Sequence, residues 1–149
     1  MTRPLEWREQ VRAEWIDYNG HLSEAYYVLV FGHATDQVME ELGMGPEYRS
    51  DQQASLFTAE AHVRYLDQVE GGASVEVRSR LVGATAKAVW IWHEMWVSDT
   101  LRATEEVLGI HVDTGTGRSA PFPVEVADRI AHRLEAPPAE AGGSIRLHR

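Results

Sequence analysis

A single long amphipathic helix in an otherwise strand-like sequence is the feature that most limits the fold. Apolar residues recur at steps of three and four over residues 22–42, so they line one face of a helix. Ser23 or Asn19 suits the position before its first turn, and Gly43 favours a stop at its end. Such a helix buries one face only, and the rest of the chain must supply the surface that covers it.

Strand-like runs can supply that surface. Four of them follow the helix, and the connections contain turn residues such as Gly71, Gly72, Ser98 and Asp99. Tight turns of this kind join antiparallel neighbours. The predicted elements are strands over 5–16, 55–65, 74–82, 86–97 and 102–112, a polar loop over 46–53 and a short helix over 124–134.

This order predicts an α+β domain in which one long helix packs against an antiparallel sheet of about five strands. The strand over 86–97 directs its odd-numbered residues toward the helix and Trp90, Trp92 and Trp96 toward the other face. A large aromatic face in contact with water is unfavourable. We therefore expect a second subunit to cover it.

Composition excludes several classes of protein. The 149 residues suffice for one domain with a buried core, expected over 1–135, and the Pro and Gly pairs over 136–149 predict a mobile tail. The absence of Cys excludes disulfides and a thiol nucleophile. A net charge of −9 argues against nucleic acid as a partner. No apolar run suits a membrane span or a secretory signal, so a cytoplasmic location is expected.

The stretch just before the long helix carries the strongest chemical signal. Asp17 lies at the end of the first strand, and the start of a helix presents unpaired backbone N–H groups with a partial positive charge. A carboxylate beside such donors can attack a carbonyl, or activate water against it, while the N–H groups hold the carbonyl oxygen. The alternative is an Asx turn or helix cap, with Asn19 and Gly20 as ordinary turn residues.

Three stretches in order resemble the hotdog-fold thioesterase superfamily, in its 4-hydroxybenzoyl-CoA thioesterase-like branch. They are Asp-Tyr-Asn-Gly-His over 17–21, His-Val-Arg-Tyr-Leu over 62–66, and the last strand with its following loop over 103–121. Residues 14–21, 31–36 and 62–66 are most similar to the betainyl-CoA thioesterase group that accompanies carnitine dehydrogenases. No dinucleotide-binding fingerprint accompanies them in this sequence.

The resemblance implies a hotdog fold, a dimer or tetramer with its cleft at the dimer interface, and hydrolysis of a small acyl-CoA. It implies that Asp17 acts as nucleophile or general base and that backbone N–H groups from Gly20 to Leu22 and Ser23 polarise the carbonyl oxygen. No cofactor is expected, because CoA is part of the substrate. Betainyl-CoA is the first choice; the alternatives are an aromatic or short aliphatic acyl-CoA, or a non-catalytic protein that binds acyl-CoA.

Other polar residues are secondary candidates for this site. His21 can orient substrate or water, or else cap the helix. Glu60 and His62 share a strand face, where Glu60 would be a second base; an exposed face or subunit contact is the alternative. Arg64 and Arg118 are candidates for the CoA phosphates, against the alternative of solvated surface residues.

Aromatic residues near Asp17 suggest how a cationic acyl group would be held. A betainyl group ends in a quaternary ammonium, which aromatic faces bind well. Trp15 and Tyr18 flank Asp17, and Tyr26 follows in the helix, so these three are the predicted cage. The seven His are scattered without metal-ligand spacing, and no metal site is predicted.

Overall fold

The computed structural model describes residues 3–143, together with Ile145 and Leu147. A short 3-10 helix over Ala13–Trp15 lies between β1 and α1. The strands are β1 (Glu6–Gln10), β2 (Ala54–Tyr65), β3 (Ser74–Ala84), β4 (Ala88–Val97), β5 (Thr100–Asp113) and β6 (Arg118–Ser119). The helices are α1 (Glu24–Glu41), α2 (Pro46–Gln52) and α3 (Val124–Arg133).

The sheet is antiparallel throughout, in the order β1-β3-β4-β5-β2, with the two-residue β6 added beside β5. The long helix α1 packs on one face, which confirms the predicted α+β arrangement. Its buried stripe meets side chains of β3, β4 and β5 in two core clusters, one around Val38 and Met39 and the other around Val30, Phe31 and Ala34. Each large apolar side chain fully buried there contributes about 1.5–3 kcal/mol. Within the part of the chain described, no helix is long and apolar enough to cross a membrane.

A β-bulge in β2 corrects the predicted alternation of that strand. Thr58 pairs with Gly109 and Glu60 with Leu108, so Ala59 is an extra residue without a partner. An extra residue reverses which positions face the core. Leu56 is therefore buried, whereas Phe57, predicted to share a face with the residues after the bulge, is 52% exposed.

Two predicted boundaries were wrong. The polar loop over 46–53 is in fact the helix α2, which begins with Pro46, a residue suited to the first helical position. Tyr48 of α2 contacts His111 on β5, with 2.6 Å between the hydroxyl and Nε2. The first strand ends at Gln10 rather than continuing to residue 16. Short polar segments without an apolar stripe give no periodic signal, so α2 escaped prediction.

The chain itself covers part of the outer face of the sheet. Trp92 is only 3% exposed there. After α3, the backbone N–H of Glu135 bonds to the carbonyl of Leu81 on β3, and that of Gly142 bonds to the carboxylate of Glu106 on β5. The segment 134–143 therefore crosses β4, where a second subunit was expected. Residues 144, 146, 148 and 149 of the predicted mobile tail lie outside the described residues, as do residues 1 and 2 of the predicted domain.

Candidate active site

The residues before α1 form a closed turn. The N–H of Asp17 bonds to the carbonyl of His21 at 2.9 Å, and that of Gly20 to the carbonyl of Asp17 at 3.0 Å. Gly20 has φ +81°, a conformation that glycine adopts without steric cost. The turn is local in sequence, and its shape follows from five consecutive residues.

The Asp17 carboxylate is held by this turn. Its Oδ1 accepts the N–H of Asn19 at 2.9 Å and that of His21 at 3.3 Å, which is the Asx turn anticipated as an alternative. Asp17 does not cap α1, because Ser23 occupies the N-cap position and makes no side-chain cap bond. The turn thus fixes one carboxylate oxygen, while Oδ2 has no hydrogen bond to a described residue.

The donors nearest the helix start differ from those predicted. The N–H groups of Gly20 and His21 bond to Asp17, that of Leu22 to Val69 at 2.7 Å, and that of Ser23 to Trp15 at 2.9 Å. Leu22 is also a buried core residue, so it presents neither its N–H nor its side chain to a ligand.

The N–H groups free of described acceptors are those of Glu24 and Ala25 in the first turn of α1, because the next one, of Tyr26, bonds to Ser23. They point along the axis toward the positive end of the helix dipole.

The segment 67–70, called the platform below, contacts the turn through backbone hydrogen bonds. The Leu22 N–H bonds to Val69, and His21 forms an antiparallel bridge with Glu70. Arg102 of β5 holds this platform through a bond from its guanidinium to the Gln68 carbonyl and one to Glu70 Oε2 at 3.1 Å. Arg102 was not predicted, because its partners lie more than thirty residues away and no local pattern marks it.

Two polar atoms near this platform are buried without a partner among the described residues. They are Nδ1 of His21 and Nε of Arg102. Buried polar groups are normally hydrogen-bonded, so such atoms mark places where water or a ligand is to be expected. His21 therefore stays a candidate for orienting water or substrate.

The aromatic residues around Asp17 are arranged differently from the predicted cage. Trp15 is 7% exposed; Tyr26 stacks on it with ring centroids 5.5 Å apart, and the guanidinium of Arg12 lies 5.4 Å from the ring centroid. The Trp15 ring is thus engaged within the chain. Tyr18 is 97% exposed, whereas Tyr26 is partly buried and stacks one face of its ring on Trp15.

Tyr27, rather than Tyr26, lies behind the turn. Its hydroxyl donates to the Asp67 carbonyl at 3.3 Å, and its ring meets that of Tyr65 edge-on at 5.0 Å. Burial raises the pKa of Tyr27, and the negative charges of Asp67 and Asp17 raise it further, against the lowering effects of a backbone hydrogen bond and Arg102. Tyr27 is therefore a neutral donor at neutral pH.

Glu60 and His62 are not brought to Asp17 within one chain. Both line a cavity of about 360 Å³ on the outer face of the sheet, together with Trp90 and Gly143. Asp17 belongs to the opposite side, where α1 packs.

The two predicted phosphate-binding residues, Arg64 and Arg118, are both exposed. Arg118 lies at the end of β5 away from Arg102. Among the residues described, no group of three or more His, Asp or Glu is arranged to hold a metal ion.

Comparison with known proteins decides the family. A family model described as the thioesterase-like superfamily matches residues 11–130, most of the chain. The chain belongs to this superfamily. It is a thioester hydrolase with a hotdog fold, as the motifs around Asp17 and His62 predicted.

Two curated relatives of this thioesterase match over nearly its whole length. The betainyl-CoA thioesterase of Pseudomonas aeruginosa is 41% identical over 144 residues, covering 92% of this chain and 91% of that protein. The L-carnitine dehydrogenase/betainyl-CoA thioesterase of Ruegeria pomeroyi is 35% identical over 153 residues, which are 98% of this chain and 31% of the longer protein.

Solved structures of similar fold include SAV2348 from Staphylococcus aureus in complex with CoA, with TM-score 0.91 and 25% identity over 99% of this chain and 98% of that chain. The 1,4-dihydroxy-2-naphthoyl-CoA thioesterase from Synechocystis has TM-score 0.74 and 15% identity, over 85% of this chain and 94% of that chain, and shares the fold.

Proposed function

We propose that this thioesterase hydrolyses a small acyl-CoA and that its substrate is betainyl-CoA. The observation that carries the proposal is the Asp17 carboxylate, which its own turn fixes through Oδ1 a few residues before α1, where the N–H groups of Glu24 and Ala25 have no acceptor among the described residues. The named activity of the Pseudomonas aeruginosa relative and the CoA bound to the Staphylococcus aureus protein support the substrate class. A cytoplasmic location remains part of the prediction.

Two routes use the same arrangement. In the first, Asp17 Oδ2 bonds to the carbonyl carbon and the carbon–sulfur bond breaks, releasing CoA thiolate; water then hydrolyses the mixed anhydride to the free acid and the Asp17 carboxylate, and the proton released ends on the thiolate. In the second, Asp17 takes a proton from water, whose oxygen attacks the carbonyl, and the proton ends on the sulfur of CoA. In both, the N–H groups of Glu24 and Ala25 would stabilise the negative oxygen of the tetrahedral intermediate. A thiolate leaves readily because thiol pKa values are low, about 8.5.

The proposed active unit is a dimer of two copies of the chain. β2 pairs only with β5 among the described strands, so one of its edges is free along 12 residues. Exposed apolar side chains lie along α1, β2 and the residue that follows β2: Val28, Leu29, Phe57, Tyr65 and Leu66. An antiparallel edge is complementary to itself about a two-fold axis, and such pairing would join the two sheets. A tetramer formed by two such dimers is the alternative.

The proposed dimer would also supply contacts to the quaternary ammonium of the betainyl group. With Trp15 engaged by Tyr26 and Arg12, the exposed Tyr18 is the predicted cage residue with the most accessible ring. The remaining contacts to a quaternary ammonium would come from the second copy. Glu60 and His62 would act at this site only across an interface.

The test is thiol release from betainyl-CoA, acetyl-CoA, a medium-chain acyl-CoA and 4-hydroxybenzoyl-CoA, with Asp17→Asn and the exposed turn variant Asp99→Asn in parallel. We expect betainyl-CoA to have the highest kcat/KM, with activity lost in Asp17→Asn and kept in Asp99→Asn. A different preferred thioester would replace the substrate and keep the mechanism. Tight CoA-ester binding without turnover of any of the four would favour a non-catalytic binding protein.

A further inference from the structure

A groove runs between α1 and the two strands β2 and β5. It encloses about 490 Å³. Gly32 leaves the helix side open, since nothing lies within 4 Å of the position its Cβ would take. The walls are mainly apolar, and polar groups reach the groove from both sides. The apolar lining includes Leu29, Met39 and Val107, and the titratable groups in the lining are His33, Asp36 and Glu105.

Glu105 is the unusual group in this groove. It is 4% exposed, and no hydrogen bond or ion pair joins its carboxyl group to a described residue. The nearest buried base on the same sheet face does not serve it, because both ring nitrogens of His93 are engaged, Nε2 with Thr35 at 2.8 Å and Nδ1 with Ser79 at 2.7 Å. Burial raises the pKa of Glu105 to about 7.

A buried carboxylate without a partner is costly to a fold. A positively charged ligand can offset this cost by pairing with the carboxylate. Buried acids with a strongly shifted pKa are therefore candidates for functional sites. The sequence position of Glu105 adds to this, because its strand neighbour Glu106 points to the outer face and is bonded to Gly142. Two consecutive glutamates thus have opposite environments, and only one lacks a partner.

Resting on the proposed function, we propose that the groove binds the trimethylammonium end of the acyl group and that Glu105 supplies the opposing negative charge. A quaternary ammonium has no N–H to donate, and its charge is spread over methyl groups. It therefore suits a buried, unpaired carboxylate with apolar neighbours such as Leu29, Met39 and Val107. A primary ammonium or guanidinium would instead demand several hydrogen-bond acceptors.

The length of the acyl group sets a further condition. In a betainyl group the nitrogen is two bonds from the carbonyl carbon, so the groove must adjoin a reacting carboxylate. The proposal therefore requires that, in the proposed dimer with its two β2 edges paired, the turn with Asp17 of one copy lies against the groove of the other. The site is then complete only in the dimer, and one copy contributes Asp17 while the other contributes Glu105.

The test compares betainyl-CoA with 3,3-dimethylbutanoyl-CoA, in which carbon replaces the charged nitrogen and the shape is kept. Steady-state thiol release is measured for the intact chain, Glu105→Gln and the matched control Glu106→Gln. We expect Glu105→Gln to lower kcat/KM for betainyl-CoA by about tenfold or more, mainly through KM, and to leave the neutral ester unchanged. Glu106→Gln should keep the native ratio of the two esters. Equal losses on both esters in Glu105→Gln, or no change on either, would overturn the proposal.

Binding of two unreactive thioethers separates this site from the proposed reaction. S-(2-trimethylammonioethyl)-CoA carries the cation, S-(3,3-dimethylbutyl)-CoA does not, and calorimetry gives the Kd of each without turnover. We expect the native chain to bind the cationic thioether more tightly and Glu105→Gln to lose that difference. If betainyl-CoA is not hydrolysed but the difference in Kd persists, the proposed reaction fails and the cation site stands. If the native chain binds both thioethers equally, the cation site is wrong whatever ester is hydrolysed. Glu105→Asp, which keeps the charge, should retain part of the preference, and it replaces Glu105→Gln if that variant does not fold.

Discussion

The carboxylates of Asp17 and Glu105 differ in both exposure and hydrogen bonding. Asp17 is partly exposed, and two backbone N–H groups of its own turn bond to one of its oxygens. Glu105 is buried between strands and a helix, and no described residue donates to it. The first arrangement fixes the direction of a carboxylate by hydrogen bonds from within its own turn. The second leaves the carboxylate without a partner in the chain, so a cationic ligand can pair with it.

The largest expected effect is on the Asp17 side of this comparison. Asp17→Asn keeps an acceptor oxygen for the N–H groups of Asn19 and His21, so the turn should survive while the charge is lost. We expect kcat to fall by at least about a thousandfold, with the melting temperature nearly unchanged. Asp17→Ala should lose the turn as well and lower both quantities. Substantial turnover by Asp17→Asn would contradict a catalytic role for this carboxylate.

The second largest effect is expected for Glu105, in the pH dependence of the free energy of unfolding. Its pKa is about 7 in the fold and near 4.5 when unfolded, so unfolding releases a proton between these values and native stability falls as pH rises from about 4.5 to 7. Below that window Glu105 is neutral in both states and costs nothing. The unfolding free energy should fall by at most about 3 kcal/mol across this pH window.

Urea denaturation at pH 5 and pH 8 measures this. Glu105→Gln should be more stable than the native chain at pH 8 and equal to it at pH 5, whereas Glu106→Gln should show no such change. The other titratable groups facing this region are His33, Asp36, Tyr27, Tyr65 and His93. Burial lowers the pKa of His93 to about 3, so that ring stays neutral throughout the window. If the unfolding free energies of Glu105→Gln and the native chain differed by the same amount at pH 5 and pH 8, the raised pKa of Glu105 would be wrong.

A smaller effect is expected beneath the turn. Arg102→Gln removes the guanidinium that bonds to the Gln68 carbonyl and to Glu70. We expect a loss of about 2 kcal/mol in unfolding free energy, because the Gln68 carbonyl loses a hydrogen bond from a charged donor, and a lower kcat with little change in KM. Arg8→Gln on the exposed edge strand is the control, since surface ion pairs contribute about 0–1 kcal/mol. If Arg102→Gln raised KM alone, Arg102 would contact substrate instead of supporting the turn.

The smallest effect is expected within the turn itself. Gly20→Ala forces a side chain into φ +81°, although the space around it is open, so the cost is only that of the backbone, about 1 kcal/mol. Gly117→Ala, at φ +74° and equally open, should cost the same stability without changing kcat. A lower kcat in Gly20→Ala alone would show that the shape of the turn matters to the reaction. Equal kcat values in both variants would limit the role of this glycine to folding.

The two regions also differ in how far they could be predicted. The turn around Asp17 and the helix α1 depend on neighbours in sequence, so motif and periodicity found them. Arg102 bonds to residues more than thirty positions away, and β2 and α1, which enclose Glu105, are equally distant in sequence, so nothing adjacent marks either residue. The bulge at Ala59 reversed the faces of β2 because a single extra residue is invisible to a period-2 pattern. Trp15 was sought as a binding platform, but Tyr26 and Arg12 already engage its ring.

The bulge at Ala59 has a consequence for aggregation. A flat, regular edge strand invites other chains to add to it in several registers, and growth from such an edge has no natural end. In β2 the extra residue twists the edge and breaks its regular spacing of donors and acceptors near the middle of the strand. A neighbour that pairs with this edge must match the irregularity, which restricts the registers open to it. The extra residue that disturbed the predicted alternation of β2 thus limits the registers in which a second chain can add to this edge, and it favours a closed pair of copies over open-ended fibre growth.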